Sequence, residues 1–440
     1  MQNYKEFFKN KKITVMGLGL LGGVGDIRFL AEAGADIIVT DLKNTNELKP
    51  SLNALKKFKN INYTLGKHEF KDFKNRDLII RAPGTPLDSP YIIEAHKNNI
   101  PITMWAALFS QFAERIGAMV VGVTGTRGKT TVATLINEIL LTAGKKVIFG
   151  GNVQGTSILS NLPKLTPDVI VVLELDSWKL QGFDDLKISP NISVFGTFLP
   201  DHLNYYKGDM KKYFNDKANI FKYQKKEDTL IIGKQALSFV KKWAGKAKSK
   251  IILSKDRLPK GWKFNLPGLH NEYNAMLSVE VARKIGIKDN VIKKAIQNFK
   301  GVSGRLEFVR EVKGVKYYND TTATTPEATI AALRALGKKH NIILIAGGSD
   351  KGLKMGNLIK EMPKYCKKVV LLSGSGTERM KNKIKNVIEV NSMKRAIEIA
   401  KIFAKSGDII LLSPAFASFG MFQNEYDRGD QFMKIIKNLK

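Results

Sequence analysis

The sequence predicts an α/β protein of three domains, and three observations carry that expectation. The chain has 440 residues, more than one hydrophobic core organises, and roughly 150 residues per domain gives about three domains. Short buried-strand patterns alternate with amphipathic helical stretches along the chain, as in sheets covered by helices. A glycine turn follows a strand pattern at two places, near Gly17 and near Gly125, so two nucleotide-type units stand in one chain.

Taken in order, Ile13 to Leu20 reads as a buried strand entering a glycine turn, and Val24 to Ala33 has helical apolar spacing at Val24, Ile27, Leu30 and Ala31. The strand ADIIVTD ends at Asp41, and LIIRAPG at 78–84 continues the α/β pattern to about residue 104. A second unit opens with AMVVGVTG at 118–125 and runs into a helix with apolar Val132, Leu135, Ile136, Ile139 and Leu140. Its strand DVIVVLELD spans 168–176. Near residue 301 the segment KGVSGRLEFV reads as a crossing into a third unit with strands VKYYND, NIILIAGG, VVLLSG and DIILLSPA.

Composition bounds the function classes. Hydrophobic content of 43% with 25% charged residues is that of a soluble globular protein, and no apolar run approaches the roughly 20 residues of a membrane helix. The amino terminus lacks a secretory pattern, so a cytoplasmic enzyme that acts on neither membrane nor nucleic acid is expected. The formal charge of +32 is spread along the chain without an arginine-rich, aromatic-interleaved stripe. Such a bias suits anionic nucleotide substrates better than nucleic acid. The lone Cys366, before the apolar run VVLLSG, reads as structural.

The sharpest motif is Gly125-Thr126-Arg127-Gly128-Lys129-Thr130-Thr131 between a strand and an amphipathic helix. Glycines let backbone N–H groups approach phosphate, Lys129 neutralises the outer phosphates, and a threonine hydroxyl can ligate magnesium. Val123 stands where the common phosphate loop has its first glycine. Glu174, at the carboxyl end of its strand, either completes a magnesium site with Thr130 or is a solvated strand-end acid. Gly17, Gly19 and Gly22 with Asp41 fit a dinucleotide site as well as a uridine nucleotide; the second nucleotide loop downstream favours the latter. Asn271 and Asn274 stand one turn apart at a helix start, where amides meet an adenine or ribose or cap the helix. From local composition alone, His202 is a hydrogen-bonded loop residue and Lys217 a surface lysine.

TGTRGKTT resembles the ATP loop of the Mur ligases, and the resemblance runs collinearly along nearly the whole chain. It implies the three-domain Mur ligase architecture. A Rossmann-like N-terminal domain (1–104) would take the UDP substrate, a central P-loop ATPase-type domain (105–301) ATP, and a Rossmann-like C-terminal lid (302–440) the amino acid. GLGLLGGVGDIRFL followed by TDLK is similar to the UDP-binding entry of the glutamate-adding branch, with Leu20, Leu21, Asp41 and Lys43 near the nucleotide and Asn152 near phosphates and acceptor. By the same resemblance Glu174, His202 and Lys217 hold two magnesium ions, Lys217 as a carbamate. Arg305 and Asp320 reach toward ATP. ELDSW departs from the family's ELSSF-like segment at Asp176 and Trp178.

The implied reaction is ATP-dependent joining of glutamate to UDP-N-acetylmuramoyl-L-alanine through an acyl phosphate, by a monomer. The amino acid would meet Thr322, Thr324, Lys351, Ser418 and Glu425. Thr322 stands where the familiar D-glutamate enzymes carry a lysine, and Glu425 where a phenylalanine is common. Those departures, with DTTATTPEA and SFGMFQNEYDRGDQF, resemble a variant branch that attaches L-glutamate, so L-glutamate is expected, with D-glutamate as the alternative. A related folate-type ligase, another Mur ligase, or a non-catalytic nucleotide-binding protein are the remaining readings.

Overall fold

The computed structural model describes residues 4–19, 23–86, 88–151, 157–245, 247–338, 340–385 and 387–439. Leu20, Leu21, Gly22 and Asn152 lie outside them. The chain divides into two compact bodies, Met1–Leu258 with Asn274–Ile296 and Pro259–Tyr273 with Gln297–Lys440.

The first body carries two parallel sheets. One is built from β1 (Lys12–Met16), β2 (Asp36–Asp41), β3 (Ile61–Leu65), β4 (Leu78–Arg81) and β5 (Ile102–Thr103), in the order β3-β2-β1-β4-β5. The order reverses between β1 and β4, and such a switch point is where open α/β sheets hold ligands. The strand expected over Ile13 to Leu20 ends at Met16, because Gly17 takes φ +105°. A Cβ on Gly17 would lie 2.8 Å from the Ala82 side chain, so only glycine lets the two turns approach.

The other sheet is built from β6 (Met119–Thr124), β7 (Lys146–Gly150), β8 (Val169–Glu174), β9 (Ile192–Phe195), β10 (Thr229–Ile232) and β11 (Lys250–Leu253), ordered β11-β10-β9-β6-β8-β7. Its central strands β8, β9 and β10 are mostly apolar and buried at every position, as strands covered on both faces are. The switch point falls between β6 and β9, at the glycine loop that follows Thr124.

The second body's sheet comprises β12 (Glu307–Val312), β13 (Val315–Asn319), β14 (Ile342–Gly347), β15 (Cys366–Leu372), β16 (Val387–Val390) and β17 (Ile409–Leu412), ordered β12-β13-β17-β14-β15-β16. Among the described residues, β12 and β13 are the only strands of this sheet that pair antiparallel, through a tight turn in which Lys313 and Gly314 both take positive φ. Cys366 opens β15 buried, and burial pushes its thiol up to about 12, which fits the structural role expected of it. No helix among the described residues is long and apolar enough to cross a membrane.

Two buried polar groups tie the layers of the first body together. Arg81, 2% exposed at the end of β4, donates to Gln181 Oε1 (2.8 Å) and Asp185 Oδ2 (3.1 Å) on helix α3 (Ser177–Leu186). Gln181 in turn donates to Asp216 Oδ2 (2.7 Å) on helix α4 (Met210–Lys222). Asp26, on the helix that follows β1, accepts at one oxygen from the Ser157 hydroxyl (2.6 Å) and the Leu159 N–H (2.8 Å). Gly25 admits this approach, since a Cβ there would lie 2.8 Å from that of Ser157.

Burial raises the Asp26 carboxyl to about 7 against the hydrogen bonds that favour its charge. Its folded value therefore lies above its unfolded one. Its stabilising contribution is complete below the unfolded value near pH 4 and is lost as pH rises through about 7. An Asp26→Asn variant keeps the accepting oxygen and should lack this loss. Melting temperatures at pH 5 and pH 8 check it: wild type should fall relative to the variant at pH 8, and parallel behaviour would contradict the assignment.

Candidate functional site

The glycine loop leaves β6 at Thr124, and the helix Lys129–Thr142 follows it. Gly125 has φ +153° and Gly128 φ +83°. The second is spatially constrained as well, because a Cβ there would lie 2.3 Å from Asn274 Oδ1. A strap after β9 fixes the loop. Thr126 N–H donates to Thr197 O (2.7 Å), Arg127 N–H to Thr197 Oγ1 (2.8 Å), and the Thr126 hydroxyl to Leu199 O (3.1 Å). The Arg127 guanidinium meets Asp201 Oδ2 at 2.8 Å. Thr130 is half-buried and Thr131 buried on the first turn of the helix.

Two lysines converge on one carbonyl of this loop. Lys129 Nζ donates to Gly125 O (3.0 Å) and Thr126 O (3.4 Å), and Lys217 Nζ donates to the same Gly125 O (3.1 Å). Lys217 is 1% exposed on α4, with its amine 5.0 Å from the Tyr213 ring centre. The surface placement expected from composition is therefore wrong; one apolar turn of α4 turns this lysine inward, among residues remote in sequence. Burial first, then the Lys129 charge, pulls the Lys217 amine well below the usual lysine range. Lys129 is also lowered by burial, with Glu174 and Asp176 acting against it.

Glu174 ends β8 with 2% of its surface exposed, so it is no solvated strand-end acid. A Cβ on Gly151 would lie 2.2 Å from the Glu174 carbonyl oxygen, which makes glycine obligatory where β7 ends beside it. The two departures in ELDSW have local work. Asp176 caps α3 by accepting from Lys179 N–H (2.8 Å), and the Trp178 ring stands 4.5 Å from that of His202, centre to centre. His202 holds a left-handed backbone (φ +52°), and burial lowers its imidazole, with Lys217 and Lys129 acting the same way against Asp201. The ring is therefore neutral at pH 7 and available as a nitrogen ligand.

The remaining expected residues fall in separate places. In the first sheet Asp41 accepts from Leu18 N–H (2.7 Å) and Lys43 N–H (2.9 Å), with Lys43 exposed beside it. Asn274 is buried against the ATP-type loop, whereas the Asn271 amide donates to Pro267 O (2.7 Å). In the second body Asp320 accepts from the Ser413 hydroxyl (2.8 Å) and Leu306 N–H (3.0 Å), and burial raises it to about 7. Arg305 precedes Leu306 and is half-buried. Thr322 donates to Gly304 O (2.9 Å), Lys351 Nζ reaches Thr324 Oγ1 (3.2 Å), and Ser418 is buried. Glu425 opens the last helix, Glu425–Lys437, where the helix dipole favours a carboxylate. Sequence reasoning missed Tyr213, Thr197 and Asp201. Only Tyr213 was within reach, four residues before Lys217 on one helix face.

Comparison with known proteins matches three family descriptions: "Mur ligase MurD-like, N-terminal domain" over 11–104, "Mur ligase middle domain" over 123–258, and "Mur ligase, glutamate ligase domain" over 304–416. A relative from Roseiflexus sp. (strain RS-1), named UDP-N-acetylmuramoylalanine--D-glutamate ligase, is 35% identical over 97% of this chain and 98% of its own. One of the same name from Clostridium tetani (strain Massachusetts / E88) is 34% identical over 99% and 98%. Among solved structures, the fold is similar to the UDP-N-acetylmuramate-alanine ligase of Thermotoga maritima (TM-score 0.61, 19% identity, 98% of this chain and 100% of that one). It is also similar to a MurF ligase from Thermotoga maritima in complex with ADP (TM-score 0.57, 17% identity, 84% and 96%).

Gly128→Ala tests the loop geometry, since it combines a left-handed backbone with a clash against Asn274. It should cost about 1–3 kcal/mol of stability and displace Asn274. Thermal denaturation and titration with a fluorescent ATP analogue read both effects. A variant that melts and binds like wild type would contradict the placement of Asn274.

Proposed function

The chain belongs to the Mur ligase family, and from that premise we propose that it joins D-glutamate to UDP-N-acetylmuramoyl-L-alanine with conversion of ATP to ADP and phosphate. We assign the first sheet (1–104) to the UDP substrate, the second (105–301) to ATP, and the third (302–440) to the amino acid. The single observation that carries the chemistry is the pair of lysine amines on Gly125 O, at the mouth of a glycine loop flanked by buried Glu174.

A carboxylate does not react with an amine at neutral pH, so it is first made electrophilic. The acceptor's terminal carboxylate oxygen attacks the γ-phosphorus of ATP, ADP leaves, and an acyl phosphate forms. The amine of glutamate then attacks the acyl carbon, loses a proton, and phosphate departs. Lys129 spreads the charge of the transferring phosphoryl group, and the strap, by engaging the Thr126 and Arg127 N–H groups, fixes the loop that carries it so that little reorganisation is needed.

The donor set fits magnesium. Glu174 offers a carboxylate, Thr130 a hydroxyl and His202 a neutral nitrogen, chiefly the oxygen-rich set that a hard dication takes. Bound there, magnesium would neutralise charge on the phosphoryl oxygens. Lys217 would add two oxygens as a carbamate. Its depressed basicity supports this, because only the neutral amine attacks carbon dioxide, releasing one proton.

The expectation of L-glutamate gives way to its alternative. Relatives matching the full chain at 34–35% identity carry the D-glutamate name. The two motives for the L-enantiomer also weaken. A lysine does stand at the pocket segment, since Lys351 reaches Thr324. The charge of Glu425 is accommodated at a helix N-terminus.

Phosphate release tests the proposal when it requires both UDP-N-acetylmuramoyl-L-alanine and glutamate, with the enantiomers run in parallel. D-glutamate should turn over faster, and a clear preference for L-glutamate would restore the first expectation. Lys129→Ala should fold normally and lose roughly 100-fold or more in turnover. Undiminished product from that variant would remove the ATP-site assignment.

A further inference from the structure

The bulkiest wholly buried side chain among the described residues is a cation, Arg428, with 0% of its surface exposed on the last helix. Burying a guanidinium is costly unless its donors are satisfied and its charge answered. Each of its three nitrogens donates to a neutral group. Nε donates to Thr321 Oγ1 (3.2 Å), Nη2 to Thr321 O (2.8 Å) and Nη1 to Phe416 O (3.2 Å). No carboxylate lies within ion-pair distance of Arg428 among the described residues. Burial lowers the group to about 10, against the through-space charge of Glu425, so it stays protonated at neutral pH.

The placement of its acceptors gives this cation a purpose. Thr321 begins the segment that carries Thr322 and Thr324, and Phe416 precedes the segment that carries Ser418. Ala415 N–H donates to Ala323 O (2.8 Å), which joins the two segments directly. Ser349 and Ala417 exchange backbone hydrogen bonds of 2.9 and 3.2 Å, which brings in the segment of Lys351. The helix itself can press this close because residue 429 is glycine; a Cβ there would lie 2.7 Å from Thr321 Cγ2. Thr321 Oγ1 also donates to Glu425 O (2.8 Å), closing the ring of contacts around the guanidinium.

We propose that Arg428 is the positioning residue of the amino-acid pocket, clamping the Thr321 and Phe416 segments together beneath it and adding fixed positive charge for an incoming dicarboxylate. The inference rests on the reading that this body binds glutamate. Arg428 touches no substrate; it acts through the backbone it holds and through its field. Loss of the clamp therefore falls on glutamate and leaves the nucleotide substrates untouched.

The test measures KM separately for glutamate, ATP and UDP-N-acetylmuramoyl-L-alanine in wild type, Arg428→Met, Arg428→Lys and Thr321→Val, with a thermal melt of each. Arg428→Met should raise the glutamate KM about tenfold or more, as a displaced pocket wall misplaces the substrate, with the other two within about twofold. Arg428→Lys keeps the charge without the fork and should fall between. Thr321→Val preserves shape and removes one acceptor, so it carries the same test with about a threefold rise even where the arginine variants do not fold. An unchanged glutamate KM in Thr321→Val and in any folded arginine variant would overturn the proposal. So would a parallel rise of all three KM values with a lowered melt, the mark of a merely structural arginine. Wild type without glutamate-dependent product would overturn the functional reading itself, and this inference with it.

Discussion

The carbonyl of Gly125 accepts two lysine amines at once, and the local structure is arranged to make that tolerable. Two ammonium groups on one oxygen would repel strongly in a buried place. The conflict is relieved by basicity rather than by distance. Burial lowers both amines, Lys217 well below the lysine range and Lys129 with Glu174 and Asp176 acting against the shift. The strap through Thr197, Leu199 and Asp201 then fixes the loop against which both amines rest.

The same constraint explains how far the first sheet is involved. Asp216 immediately precedes Lys217 on α4, and it is held by Gln181, which is held by Arg81 at the end of β4. A contiguous polar path thus runs from the sheet with the glycine entry to the helix that presents Lys217. Asp26 makes a second tie, to Ser157 and Leu159. The two sheets of the first body are therefore joined by buried polar contacts, one chain of which ends beside Lys217.

How much of this was legible in the sequence depended on whether the cause was local. The loop Gly125–Thr131, the strands β1, β2, β4, β6 and β8 and the helix after the loop follow from apolar runs and glycines adjacent in sequence, and they stand where the spacing put them. β12 was missed although EFVREV alternates and a Lys-Gly turn follows it; the glycine pair at 301 and 304 drew attention to a crossing instead. Burial of Lys217 was not legible, because Gly125, 92 residues away, meets it only once the chain is folded. Trp178 and Asp176 read as departures from a pattern, and their reasons, a ring against His202 and a helix cap, are likewise tertiary or positional. In the second body the contact that joins the segments of Lys351 and Thr324 is tertiary as well. Lys351 is 27 residues from Thr324 in sequence, yet its Nζ lies 3.2 Å from Thr324 Oγ1.

The account stands most directly on the state of Lys217. Enzyme equilibrated with carbon-13 bicarbonate and observed by carbon-13 NMR should give one carbamate resonance that Lys217→Met lacks, because a buried neutral amine captures carbon dioxide. An active enzyme without that resonance, or a resonance that survives in Lys217→Met, would contradict it.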